Sequence, residues 1–487
     1  MNLNLTPAAL YRDAIAGAQT FEFPFGAIDH LGAQLWSVVV IGDDGALSDG
    51  FGYGPTLQRA QTSAWGEALE WFAARQALKT RPRINASYAD LTKRGENALD
   101  PIALNLSAGS SYAPETQLQW VEVVRHPDRV PAWCPIEFVA PRAADIGADI
   151  EPKTLLSVPI TNGLGAGPTR AHALAHGVLE LLQRDGNSIS YRALDRGIQV
   201  ELDEVRDPRT RDLLADLDGQ GIEVIVKLAA LDFGMANLTV VGTDRDLTRA
   251  PSPIALSACG EAVHPDREFA LAKALREFCM ARARKTFNHG PLAPIRKLAP
   301  PGYLEAFRPA TMRSEDDRAL NEMRGWMNLS DSEFFEMLRD PIFAVRETVR
   351  FSALPTTQTP DAVALLEVLT QRLNAENLEI YACDFTAPGA SPAVLKAIVP
   401  GLEVETMTYQ RIGARNLAKL LERGSPLVGL GAAPATARPI RLTGENAARF
   451  AGAWFDPRVL DEIIGPLYPL YREPGRHVLG FLGERGE

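Results

Sequence analysis

GPTLQRAQTSAWGEALE (54–70), GPTRAHALAHGVLELLQ (167–183) and HPDREFALAKALREFCM (264–280) follow one pattern. The first two align without a gap at an offset of 167 − 54 = 113, and the third joins them at 264 − 54 = 210. Each has proline at its second position (Pro55, Pro168, Pro265) and Thr56, Thr169 or Asp266 at its third. An alanine follows (Ala60, Ala173, Ala270), and then a glutamate (Glu67, Glu180, Glu277). Threonine or aspartate just before an apolar-periodic run is a helix N-cap, because its side-chain oxygen satisfies amides that the first turn leaves without partners. In every copy the glutamate lies eleven residues after that cap, so three helices offer a carboxylate at an equivalent depth.

The glutamates have company at helical spacing. Glu70 follows Glu67 by three residues, which places both carboxylates on one helix face. Gln183 and Arg184 accompany Glu180, and Met280 and Arg282 follow Glu277. Like charges on a mostly apolar helix are unfavourable unless a cation or an arginine neutralises them. Clustered oxygen ligands suit Mg2+ bridging phosphates, and arginines suit the phosphates themselves. Two copies follow glycine-rich stretches, GFGYG (50–54) and NGLGAG (162–167), read here as turns that let backbone approach a phosphate or another helix. Neither matches a P-loop, since no Gly-Lys-Ser/Thr follows. The competing reading is of three solvated amphipathic helices, and the alignment of all three copies argues against it.

The chain has 487 residues, 46% hydrophobic and 23% charged, as in a globular protein able to bury a large core. A net charge of −11 disfavours non-specific binding to nucleic acid or anionic membrane. Cys134, Cys259, Cys279 and Cys383 are scattered, with no CxxC pair, and read as buried reduced thiols. The N-terminal residues lack the pattern of a signal peptide, and no apolar run reaches the roughly 18 residues a membrane helix needs. The expected location is cytoplasmic.

Short Val/Ile-rich runs predict strands at Trp36–Ile41, Gln119–Val124, Ile222–Leu228, Leu238–Gly242, Ile254–Ala258, Leu378–Cys383 and Val394–Val399. Three- and four-residue apolar spacing predicts helices near 56–78, 169–185, 266–286, 315–328, 360–374 and 413–423. This order of elements points to an α+β or α/β architecture, with 311–350 as a helical insertion. His172 and His176, at i and i+4, could share a transition metal, but no third ligand is evident and a structural role is favoured. Tyr409, Arg411 and Arg415 could reach phosphate or substrate, with pairing to acids as the alternative.

At these residues the chain resembles the YcaO family of ATP-dependent enzymes that activate peptide backbone amides. A family motif like SAxGExxER is matched by Ser63, Ala64, Gly66, Glu67 and Glu70. A second, like SNGxAxGNTxxEAxxxGxxExxER, is matched by Asn162, Gly163, Gly165, Gly167, Thr169, Ala173, Gly177, Glu180 and Arg184. A third, like GAHPDxxxALxRAxTExxQxR, is matched by His264, Pro265, Asp266, Ala270, Leu271, Ala274, Glu277 and Arg282. DHLGAQLWSVVV (29–40) and AVLKAIVPGLE (393–403) match an early and a late family segment. Pro168, His172, Gln183, Met280 and Tyr53 depart from the family pattern, and so does the ending HVLGFLGERGE, which is not a Pro-rich tail.

The resemblance implies an α+β fold of mixed sheets and packed helices, with the repeated loop-helix units around a nucleotide site. It implies a YcaO-like domain over 1–430 and a C-terminal extension over 431–487 packed on it. ATP and Mg2+ would be the cofactors, contacted by Ser63, Glu67, Glu70, Asn162, Gly163, Glu180, Gln183, Arg184, Glu277 and Arg282. Glu67, Glu70, Glu180, Gln183 and Glu277 would be the metal ligands, with no catalytic side chain assigned. The implied reaction is O-phosphorylation of a backbone amide in a ribosomally made precursor peptide, giving an azoline, thioamide or amidine. A leader-binding, sulfur-handling or oxidase protein would be a partner, and the chain would form a homodimer. The alternative is a degenerate homologue that holds a precursor peptide or partner as a scaffold without turning over ATP.

Overall fold

A computed structural model describes residues 7–15, 17–147, 154–311, 317–387, 389–404 and 410–485. The chain divides into two compact units. The first comprises Met1–Ala68, Leu194–Gln358 and Ile464–Glu487, and the second Leu69–Ala193 and Thr359–Ile463. Strands are numbered below in chain order, and helices are numbered only where they carry the site.

In the first unit, β1 (Gln19–Pro24), β2 (Leu35–Ile41) and β3 (Leu47–Tyr53) form an antiparallel sheet in which Trp36 faces Gly52. Val38, Val39 and Val40 are all buried, as the unbroken apolar run in β2 requires. A second sheet has the order β11-β10-β9-β8-β12, formed by β8 (Ile198–Glu201), β9 (Ile222–Ala230), β10 (Ala236–Asp244), β11 (Cys259–His264) and β12 (Glu347–Arg350). Its only parallel pairing among the described strands is β12 on β8. Leu238, Val240 and Ala262 of this sheet share a core with Leu271, Leu275 and Phe278 of a long helix. An aromatic cluster of Phe23, Phe25, Phe51, Phe287 and Tyr303 makes the unit's other core.

In the second unit, β4 (Ile84–Ser87), β5 (Gln117–His126), β6 (Pro131–Pro135), β7 (Leu164–Gly167), β13 (Ile380–Asp384) and β14 (Ala393–Ile398) form one antiparallel sheet. Its order is β4-β5-β13-β14-β7, with β6 also paired to β5. These sheets and helices make an α+β fold.

The three repeat helices appear where the spacing predicts them: α1 (Leu57–Thr80), α2 (Arg170–Asn187) and α3 (Arg267–His289). The other expected helices correspond to Asp317–Met327, Ala362–Asn374 and α4 (Ala414–Glu422). One expected strand is a helix instead. Ile254–Ala258 falls on the 3-10 turn Pro253–Ser257, whose proline sits at the first helical positions. A short apolar run cannot by itself distinguish a buried strand from a buried helical turn, and Pro253 tips this one. Within 311–350 the described residues include the helices Asp317–Met327 and Asp331–Leu338, both in the first unit, while 312–316 lie outside the described residues.

Candidate functional site

Each repeat is a strand that runs straight into a capped helix. Thr56 Oγ1 accepts from the Arg59 amide at 3.2 Å, Thr169 Oγ1 from His172 at 3.2 Å, and Asp266 Oδ1 from Glu268 at 3.0 Å. The glycines expected to form turns lie instead mostly within strands. Gly52 is in β3 and Gly165 in β7, and Gly260 of the third copy, where no turn was expected, is in β11. They bring each strand against the backbone of its own helix. A Cβ on Gly52 would meet the Ala60 carbonyl oxygen at 1.8 Å, one on Gly165 that of Ala173 at 2.1 Å, and one on Gly260 that of Ala274 at 2.0 Å. Of the two roles open to these glycines, close approach to a helix is the one observed.

That approach lets amides of the strands, or of the turn just before one, hold the helix carboxylates. In the first unit Glu67 Oε2 accepts from the Phe51 amide of β3 at 2.8 Å. In the second unit Glu180 Oε2 accepts from the Gly163 amide at 2.8 Å, and Glu70 Oε1 from the Ala166 amide of β7 at 2.8 Å. Gly163 has φ +89, a left-handed turn that aims its amide at Glu180. Glu277, also in the first unit, accepts instead from a side chain, the Tyr53 phenol, at 3.3 Å. An anchored oxygen fixes the carboxylate rotamer and tunes its basicity as a metal ligand.

Glu67 is solvent-exposed, although protein atoms crowd around its carboxylate. Desolvation is the largest influence on it and pushes its pKa up to about 7; Asp49 adds to the rise, against the Phe51 amide, Arg284 and Arg476. Because water still reaches the side chain, this shift carries less stability than the same shift in a sealed core. Burial first, and then Glu277, hold the Tyr53 phenol well above its ordinary value, so it stays protonated and donates.

The remaining expected site residues are placed as follows. Ser63 is exposed on α1, and Asn162 donates from Nδ2 to the Val404 carbonyl at 2.6 Å. Gln183 is buried on α2. Arg184 lies 3.8 Å from Glu180 and donates to the Tyr191 hydroxyl at 3.1 Å. Arg282 is fully buried, with Nε donating to Asp29 at 2.9 Å and Nη1 3.0 Å from Asp244. Its charge is thus compensated inside the first unit. Arg415 pairs with Asp185 and Glu376, the acid-pairing alternative. Arg411 donates to the Leu104 and Asn105 carbonyls, and Tyr409 lies outside the described residues.

Among the described residues, no group of three or more His, Cys, Asp or Glu side chains is arranged to hold a metal alone. The donor set still fits Mg2+, which keeps several water or phosphate oxygens and takes only one or two carboxylates from a protein. Sequence reasoning missed the backbone amides at 51, 163 and 166, because backbone donors leave no side-chain signature. It also missed Glu403, whose two oxygens accept from the Gly413 and Asn416 amides and cap α4. The position of Glu403, ten residues before Gly413 at the cap of that helix, was the available clue.

A family model described as YcaO cyclodehydratase, ATP- and Mg2+-binding, matches residues 51–403. An uncharacterised protein of Methanothermobacter thermautotrophicus is 27% identical over 394 residues, covering 80% of this chain and 90% of that protein. The structure of YcaO from Methanopyrus kandleri bound with AMPPCP and Mg2+ is similar with a TM-score of 0.55 and 20% identity, over 83% of this chain and 91% of that one. A heterocyclase in complex with substrate and cofactor is similar with a TM-score of 0.57 and 16% identity, over 86% of this chain and 55% of that one. Among the described residues, no helix is long and apolar enough to cross a membrane.

Proposed function

This chain belongs to the YcaO family, whose cofactors are ATP and Mg2+, and on that premise we propose that it activates a backbone amide of a ribosomally made precursor peptide by O-phosphorylation. One observation carries the reading: Glu67, Glu70 and Glu180 each have one oxygen fixed by a backbone amide at 2.8 Å. Carboxylates held this way are oriented before any ligand arrives, which is what positioning-dominated phosphoryl transfer asks of a protein.

Glu67 and Glu277 in the first unit, and Glu70 and Glu180 in the second, would hold Mg2+. Gln183 is available only as a neutral oxygen donor. Asn162, Gly163 and Ser63 would contact the nucleotide, with Arg184 beside Glu180 balancing negative charge. Arg282 supports the site at a distance, tying α3 to Asp29 and Asp244. Mg2+-bound ATP supplies the phosphoryl group that makes the amide oxygen a leaving group. Azoline, thioamide and amidine products all follow from that step, according to the nucleophile. A leader-binding, sulfur-handling or oxidase protein would serve as partner, and a cytoplasmic homodimer is the proposed form.

A second reading, a scaffold that binds precursor peptide or partner without ATP turnover, is favoured by Met280. That side chain packs in an apolar cluster with Phe23, Phe25 and Phe287, so its position carries no polar contact to nucleotide. Calorimetry with ATP and Mg2+ separates the two. Binding by wild type that is abolished in Glu67→Gln supports the enzyme; no binding by wild type at millimolar ATP leaves the scaffold.

A further inference from the structure

The second unit contains a cavity of about 40 Å3, room for about three waters or one small tetrahedral anion. Its polar lining is Lys396, Arg411, Asn162 and Glu137, set among apolar side chains such as Phe138 and Leu181. Lys396 stands out in the sequence as the one charge in the strand AVLKAI of β14. It is 2% exposed, its ammonium donates to the Ile160 carbonyl, and no carboxylate among the described residues lies within ion-pair distance of it. Burying an ammonium against a lone carbonyl is costly unless something of opposite charge shares the space.

Among the described residues, the neighbouring charges supply it only in part. Arg411 is 4% exposed and adds a second cation, donating to the Leu104 and Asn105 carbonyls. Glu180 is the first of the groups whose field favours the charged ammonium, but its oxygens are engaged by the Gly163 amide and lie beside Arg184. Glu137 accepts from the Ser157 amide at 3.1 Å, and burial raises its pKa to about 7, so it is only partly ionised near neutrality.

We propose that this cavity is a binding site for a small inorganic oxyanion of the phosphate or sulfate class, held by Lys396 and Arg411. Two buried cations in the lining of one small cavity favour a compact multivalent anion. Asn162 brings an amide to the same lining. The site lies wholly within the second unit and shares Asn162 with the residues proposed to contact the nucleotide.

The test is calorimetric titration of the full chain with inorganic phosphate at constant ionic strength, with no nucleotide or metal. Saturable binding is expected for wild type, weakened about tenfold or more in Lys396→Met, which keeps the side chain's length and removes its charge. Glu137→Gln removes the one acid of the lining and is expected to tighten phosphate binding; it also serves if Lys396→Met fails to fold. Glu67→Gln, in the other unit, is expected to bind phosphate as wild type does. Absence of saturable binding by wild type overturns the proposal, as do unchanged affinity in Lys396→Met or Glu137→Gln. Loss of binding in Glu67→Gln also overturns it, because the phosphate would then sit at the carboxylate site.

Discussion

Replacing Gly52 with alanine tests the contact on which the carboxylate geometry depends. The backbone at Gly52 is not in the left-handed region, so alanine meets no conformational obstacle there, only a steric one. Its Cβ would stand 1.8 Å from the Ala60 carbonyl oxygen and 2.4 Å from the Ala64 nitrogen, both backbone atoms that cannot rotate away. Reaching an ordinary 3.4 Å contact requires β3 and α1 to separate locally by 3.4 − 1.8 = 1.6 Å. Half of that, transmitted to the next residue, stretches the 2.8 Å bond from Phe51 to Glu67 to about 3.6 Å, which is no longer a hydrogen bond. Overpacking costs about 1–3 kcal/mol, and losing a bond to a charged acceptor about 1.5–3 more. The entropy lost by the unfolded chain returns only about 0.4–1 kcal/mol. A net loss of about 3 kcal/mol is therefore expected in urea denaturation, together with weakened ATP and Mg2+ binding by calorimetry. Gly66→Ala is the matched control. It lies on α1 with nothing within 4 Å of a built Cβ, so alanine should stabilise by up to about 1 kcal/mol through helix propensity. A Gly52→Ala protein within about 1 kcal/mol of wild type, or one no less stable than Gly66→Ala, would refute the reasoning.

Three further outcomes follow from the same geometry. Glu67 has a folded pKa raised to about 7 against about 4.3 unfolded, so its contribution to stability is fully present below about 4.3 and is lost as pH rises through about 7. Glu67→Gln should flatten that part of the pH–stability profile, and in wild type Mg2+-dependent ATP binding should strengthen as pH rises over the same window, because the ligand form is the carboxylate. Removing Arg282 leaves the buried Asp29 and Asp244 with only the His30 imidazole between them, so Arg282→Ala should cost about 3 kcal/mol in denaturant titration. A cost under about 1 kcal/mol would mean that the triad does not brace the unit. Tyr53→Phe removes the phenol from Glu277 with little change of shape, and ATP and Mg2+ affinity should shift several-fold with thermal stability nearly unchanged. An unaltered affinity would remove Tyr53 and Glu277 from the site.

Much of this was legible in the sequence because it is periodic. The caps Thr56, Thr169 and Asp266 and the helices they start are local features, decided within a turn or two of chain. The glutamates were legible because three copies repeat them at one spacing. Tertiary partners were not legible. Arg282 and Glu277 sit five residues apart on one helix, yet one is sealed against two aspartates and the other meets a tyrosine 224 residues away in sequence. Glycines read as turns proved to be strand residues, since glycine marks close approach as well as reversal and only the partner surface tells which. The run at Ile254 was ambiguous for a different reason, being too short for its period to register.

The strand-to-helix contact at Gly52, Gly165 and Gly260 joins one backbone to another. Apart from the glycines themselves, it uses atoms that every residue possesses. The frame therefore makes few demands on the rest of each helix's side chains, and copies with a common scaffold are free to carry different chemistry. One has an acid pair, another a glutamine and an arginine, and the third a methionine packed among phenylalanines. Such a unit behaves as a socket whose fit is independent of its contents, and replacing the contents of one socket need not disturb the other two.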